Sequence, residues 1–173
     1  MKVAPVLGTV LAGVVLQAVL ARYMAGGRWS ADFVLVAVVY ASLYWGAGAG
    51  VIGGTVGGLA QDAISGTLLG VHGLADTIVG YTTGALGAQF IVTKSAPRLA
   101  IAAGATLVQR ALVVVLFWGI HQRWSGVPWG AILGETAVNA LAAFLAFQLT
   151  ESLPGSLRRR RMQRRSSLSR RQW

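Results

Sequence analysis

The 173-residue chain is 55% hydrophobic and only 12% charged, and its mean hydropathy of +0.63 places it among one-domain integral membrane proteins rather than chains with a water-facing shell. The formal net charge is +10, yet eight of the 15 basic residues are arginines between Arg158 and Arg171, so the charge belongs to a tail and not to the fold. The lack of cysteine excludes disulfides, iron–sulfur clusters and thiolate zinc sites, and His72 and His121 are too far apart in sequence to suggest a histidine metal site. No cofactor is expected.

A transmembrane helix needs about 20 mainly apolar residues, with ~17 tolerated. Val3 to Ala21 predicts the first, with Pro5 in its first turn, where a missing N–H costs little, and Gln17 as its one strongly polar position. Lys2 and this run also resemble a signal peptide, but the run exceeds the ~7–15 residues of such an h-region and more apolar runs follow. Residues 22–30 read as a polar loop. Phe33 to Trp45 predicts the second span, with Asp32 placed where a carboxylate favours a helix N-terminus. Ala47 to Ala60 predicts the third. The alternative, one bent helix from Phe33 to Ala60, would be ~42 Å long by helical rise and overrun a hydrocarbon core of ~30 Å. The fourth span is read from Gly73 to Val92, with Gly80, Gly84 and Ala88 forming a small-residue face, and Pro97 marks a break. The fifth runs from Leu99 to Trp118, interrupted by Gln109 and Arg110, and the sixth from Gly130 to Leu149, carrying Glu135 and Asn139. Trp124 and Trp129 sit where interfacial aromatics belong.

This organisation predicts a polytopic transmembrane domain over residues 1–153 and a disordered, Arg-rich cytoplasmic tail over 154–173. Six spans put both termini on one side, together with Lys2, Lys94, Arg98 and the tail arginines, against Arg22, Arg28 and Arg123 on the other. The positive-inside rule makes the first side cytoplasmic. Five spans would export either Lys2 or the tail.

The densest signal lies between Trp45 and Asp76. Gly46, Gly50, Gly54 and Gly58 recur at a spacing of four, and Gly53 and Gly57 repeat it one register over. Each glycine costs a helix in water roughly 0.8–1 kcal/mol relative to alanine. In lipid, where the backbone must bond internally, such faces are a normal device for close helix packing. After Asp62 the glycine spacing becomes irregular, which predicts a break. The pattern Gly54-x-x-x-Gly58-Leu59-x-x-Asp62-x-x-x-Gly66-x-x-Leu69-Gly70 resembles the signature of the MreD family, bacterial rod-shape-determining membrane proteins. In length and hydropathy the resemblance extends loosely from Val3 to Leu153 and leaves out the tail.

The resemblance implies an all-α integral membrane protein of about six transmembrane helices, a glycine-packed bundle on the plan of energy-coupling-factor transporter substrate-binding subunits. It also implies a non-enzymatic subunit of the elongation machinery in the inner membrane, working with the scaffold MreC, the actin-like MreB, the polymerase RodA and a penicillin-binding protein in lateral peptidoglycan synthesis. The residues agree on the absence of an enzyme: they contain no nucleotide-binding loop and no credible nucleophile. The alternative function is that of a vitamin-binding membrane subunit of an energy-coupling-factor transporter. An enzyme of lipid or wall-precursor metabolism lacks its chemistry here.

Ionisable residues within transmembrane segments cost on the order of 2.5–3.5 kcal/mol on insertion scales and are functional candidates by default. Asp62, Asp76, Arg110 and Glu135 all fall in the outer half of the predicted bundle, Arg110 ~12 Å below the outer edge by helical rise. With Gln109 and Asn139 they are expected to form one intramembrane polar cluster, with Arg110 paired to a carboxylate. Helix registration, a pocket for a small ligand or partner group, and proton relay are the readings open for it. Ser65, Asp62 and His72 do not make a triad by sequence proximity alone, and His72 reads as an interfacial residue. In the tail, Arg158, Arg159, Arg160, Arg161, Arg164, Arg165, Arg170 and Arg171 suit anionic lipid headgroups, at ~1 kcal/mol per basic residue, or an acidic cytoplasmic partner. Nucleic acid is not expected, because no stacking aromatic is interleaved before Trp173.

Overall fold

The computed structural model describes residues 3–23, 31–66, 68–89, 95–121, 129–130 and 132–149. They form six α-helices: α1 (Val3–Tyr23), α2 (Phe33–Trp45), α3 (Ala47–Ser65), α4 (Val71–Gln89), α5 (Ser95–His121) and α6 (Ile132–Leu149). No strand occurs among the described residues. The arginine tail, Lys94, Trp124 and the 154–173 segment lie outside them.

Among the described residues three helices, α1, α5 and α6, are long and apolar enough to cross a membrane. The second helix is apolar but has only 13 residues, ~20 Å of rise. The third and fourth have 19 residues each, but glycine and the polar groups Gln61, Asp62, His72 and Asp76 dilute their apolar character. Helix α3 runs past the expected end at Ala60 to Ser65, where Gly66 turns left-handed at φ 64°.

Between α2 and α3 the chain reverses at one residue. Gly46 has φ 89°, a conformation that a side chain disfavours. Its N–H donates to the Ser42 carbonyl at 2.8 Å, and its own carbonyl accepts from Ala49 at 3.0 Å and Gly50 at 3.2 Å, so the same residue closes one helix and opens the next. The helices then run antiparallel. Positions Gly50, Gly53 and Gly57 of α3 face Ser42, Val38 and Val34 of α2 in turn. A single bent helix is thereby replaced by a hairpin. Gly46, the first member of the spacing-four series, stands at the turn with open space where its side chain would be, while its backbone lies against Gly84 of α4.

The two glycine registers of α3 meet different neighbours. A methyl group added at Gly50 would collide with the Gly80 carbonyl, one at Gly54 with the Asp76 carbonyl, and one at Gly58 would stand 2.5 Å from the His72 oxygen. That stripe lies backbone to backbone against α4. One register over, the same methyl at Gly53 would sit 3.2 Å from Val10 of α1, and at Gly57 2.8 Å from Val34 of α2 and 2.9 Å from Val10. This stripe receives valine side chains instead.

Helix α2 is the centre of the bundle. Its Val34–Val39 stretch is buried, as are Ala41 and Ser42, whereas Tyr44 near its end is 69% exposed. Leu35, Val36 and Val39 pack with Val79 of α4, Ala102 and Ala105 of α5, and Ala143 and Phe147 of α6. By contrast α1 exposes Leu11 at 63%, with Val15 and Val19 also half exposed along the same helix, a surface suited to hydrocarbon. Threonine hydroxyls are satisfied locally: Thr9, Thr55, Thr77, Thr82, Thr106 and Thr136 each donate to the carbonyl four residues back, which removes the cost of a free hydroxyl in an apolar medium.

Candidate functional site

The N-terminus of α2 gathers polar side chains from every other helix. The first turn of any helix leaves backbone N–H groups without intrahelical partners, and burial makes them expensive. Here Asp32 Oδ1 accepts from Leu35 N at 2.9 Å, Gln17 Oε1 of α1 accepts from Val34 N at 3.1 Å, and Asn139 Oδ1 of α6 accepts from Asp32 N at 2.8 Å. The second oxygen of Asp32 accepts from Gln61 Nε2 of α3 at 3.0 Å and from Gln109 Nε2 of α5 at 2.8 Å. Gln109 Nε2 also reaches Asp76 Oδ1 of α4 at 3.1 Å. Asp32, Asp76, Gln109 and Asn139 are at most 2% exposed. All six helices are thus pinned at one buried point.

Asp62 belongs to a separate constellation. It projects from the last turn of α3 onto the start of α4, where its carboxylate accepts from the N–H groups of Gly70 at 2.8 Å, His72 at 3.1 Å and Gly73 at 3.3 Å. Its Oδ1 also lies 2.7 Å from His72 Nδ1. A fully buried carboxylate therefore caps the next helix in the chain, at the end where the helix dipole favours negative charge. The chain between bends back through the left-handed glycines Gly66 and Gly70, φ 64° and 103°. Leu59 lies against Gly73, its Cδ2 3.0 Å from where a Cβ would stand, whereas Leu69 is 71% exposed. His72, expected at an interface, is buried because it completes the shell of Asp62. Ser65 is exposed and makes no hydrogen bond to His72 among the described residues.

Arg110 of α5 donates through Nη2 to Glu135 Oε1 of α6, an ion pair with the carboxylate buried. Asn139 is one turn further along α6 and bonds Asp32 and Thr106 Oγ1, the latter at 3.4 Å. The expected single cluster of Asp62, Asp76, Arg110, Glu135 and Asn139 is therefore divided in three: a cap, an ion pair and a hub. Asp76 and Asn139 join the hub, whose centre is Asp32. The sequence alone assigns Asp32 a helix-capping role and does not single out Gln61. The available signal is an amide within or beside four of the six apolar runs, at Gln17, Gln61, Gln109 and Asn139. No group of three or more His, Cys, Asp or Glu able to hold a metal occurs among the described residues.

On the opposite flank of α2, helices α1 and α6 stand apart and leave an apolar groove of about 760 Å³. Its lining runs from Pro5, Trp45 and Leu149 at one end to Leu16 and Phe33 at the other, with Gly8, Ala12, Gly13, Ala37 and Ala142 between. Open space surrounds the Gly8 position.

The family model described as rod shape-determining protein MreD matches residues 3–121. That range takes in α1 to α5 and ends short of Leu153, to which length and hydropathy had extended the resemblance. No curated protein and no solved structure matches the chain. The chain belongs to the MreD family, non-enzymatic multi-pass membrane proteins of bacterial rod-shape determination.

Proposed function

We propose that the protein is a membrane subunit of the cell-elongation machinery that binds the single transmembrane helix of MreC and so supports lateral peptidoglycan synthesis, with RodA, its penicillin-binding protein and MreB in the wider complex. The observation that carries this reading is the groove between α1 and α6. It runs along α2 from end to end, it is apolar, and small residues line its middle. In lipid, small residues permit close backbone approach, and helix association rests on van der Waals packing and interhelical hydrogen bonds. Family membership in shape determination favours this over uptake of a vitamin.

In the same reading the bundle follows the six-helix plan of energy-coupling-factor substrate-binding subunits, with the glycine faces of α3 and α4 as its packing core. Both termini are cytoplasmic, and the tail arginines bind anionic lipid headgroups. Gly50, Gly54, Gly58, Leu59, Asp62, Gly66, Leu69 and Gly70 serve the fold of the α3–α4 unit, while Asp76, Arg110, Glu135 and Asn139 register the helices.

The test is to place leucine at Gly8 or Ala12 and measure co-purification with MreC in mild detergent. Wall-lining leucine is expected to cut recovery at least tenfold, with the variant's melting temperature unchanged because Gly8 has open space. Undiminished recovery of MreC would reject the groove as its site.

A further inference from the structure

Three buried oxygens at the hub accept no hydrogen bond among the described residues: Asp76 Oδ2, Gln61 Oε1 and Gln109 Oε1. They are not scattered. Gln61 Nε2 and Gln109 Nε2 both bond Asp32 Oδ2, and Gln109 Nε2 also bonds Asp76 Oδ1, so all three free oxygens belong to one hydrogen-bonded set of side chains around Asp32. Asp76 and Gln109 are 0% exposed and Gln61 7%. Exchanging oxygen and nitrogen in either amide relieves nothing, because it turns an acceptor toward a carboxylate. What is short is a donor or a positive charge.

No neighbouring charged group bonds these oxygens among the described residues. Arg110 donates through Nη2 to Glu135 on the α6 side, while its Nε is buried without a partner and does not reach them, and Asp62 is held by His72 and the start of α4. Helices α1 and α6 contribute only the neutral Gln17 and Asn139 to the hub. A buried water supplies donors to unsatisfied acceptors, but whereas Asp32 accepts from Leu35, Gln61 and Gln109, the Asp76 carboxylate is left with one shared amide donor and no counter-charge, and buried charge requires a partner.

We propose that Asp76 Oδ2, Gln61 Oε1 and Gln109 Oε1, beside Asp32, bind one monovalent cation, sodium being the probe of choice. Hard cations take oxygen ligands. One free carboxylate oxygen and two neutral amide oxygens match a single positive charge better than a divalent ion. The site ties α2, α3, α4 and α5 together through the ion, so its occupancy couples the ionic environment to the rigidity of the bundle. This inference does not depend on the identity of the protein partner.

The experiment uses the full chain in nanodiscs, with sodium chloride exchanged for choline chloride at constant ionic strength. Sodium is expected to raise the melting temperature saturably, by about 5–10 °C at a hundredfold excess over Kd, and to give a one-site isotherm in titration calorimetry. Gln61→Leu should weaken sodium binding at least tenfold, and Gly104→Ala, at a position with open space around it, should leave it unchanged. Asp76→Asn should abolish the sodium response, and if that variant does not fold, the wild-type isotherm still decides. Equal responses to sodium, potassium and choline overturn the proposal. So does a response to pH with none to sodium, which would put a proton on the site, and so does indifference to both, which would make it a water site.

Discussion

At Asp62 one carboxylate takes up hydrogen bonds from three backbone N–H groups and a histidine ring. Removing it strands donors at the start of α4, each costing about 1–3 kcal/mol if left buried and unpaired. Asp62→Ala is therefore expected to destabilise the protein by about 3 kcal/mol or more, read as a fall in detergent melting temperature. Asp62→Asn should lose less, because one amide oxygen still accepts. The Arg110–Glu135 pair behaves differently, since either partner alone leaves a charge without its counter-ion. Arg110→Ala is expected to cost about 3–5 kcal/mol, and the double variant with Glu135→Ala should recover part of it. Losses that simply add in the double-mutant cycle would reject the coupling.

For the helices as elements, glycine means different things at different positions. Gly50 and Gly54 lie against the α4 backbone, which cannot rotate away, whereas Gly53 faces the flexible end of Val10. Gly104 and Gly119 of α5 have nothing within 4 Å. An alanine series should therefore rank in that order. Gly50→Ala and Gly54→Ala are expected to abolish monodisperse protein in size-exclusion chromatography, and Gly53→Ala to be mildly destabilising. Gly104→Ala should be neutral or stabilising by about 0.4–1 kcal/mol through the unfolded chain. If Gly50→Ala were as stable as Gly104→Ala, the α3–α4 contact would not be a backbone contact. The α2–α3 hairpin adds a further constraint: with Gly46 at φ 89°, an alanine there strains the turn whatever the space around it.

Over the whole molecule, the three constellations lie toward the end where α2, α4 and α6 begin and α3 and α5 finish, and under the proposed orientation that end faces outward. Leu69, 71% exposed in the α3–α4 turn, reports on this directly. Leu69→Cys is expected to react with a membrane-impermeant maleimide on intact spheroplasts, and a cysteine at Lys2 to react only after lysis. The reverse pattern would invert the topology. The opposite end carries an aromatic cluster: Tyr40 stacks with Tyr44 at 5.8 Å and meets Phe147 at 5.2 Å, and the Arg98 guanidinium sits 5.0 Å over the Phe147 ring.

Hydropathy and glycine spacing by themselves determined the six helices, the two registers on α3 and the family signature. These are properties of local periodicity, carried by residues adjacent on one helix. The break between Trp45 and Ala47 was also legible, because a continuous helix would have outrun the bilayer. Only the tertiary structure decided which polar groups meet. Asp32 looked like a simple cap because its other partners, Gln61, Gln109 and Asn139, are distant in sequence and are brought to it by three different helices. His72 looked interfacial for the same reason, since its burial follows from Asp62 reaching across a reversal built on left-handed glycines. Helical periodicity places a side chain on a face. Which faces then meet depends on how closely the backbones approach, and in this protein the glycines of α3 and α4 set that distance.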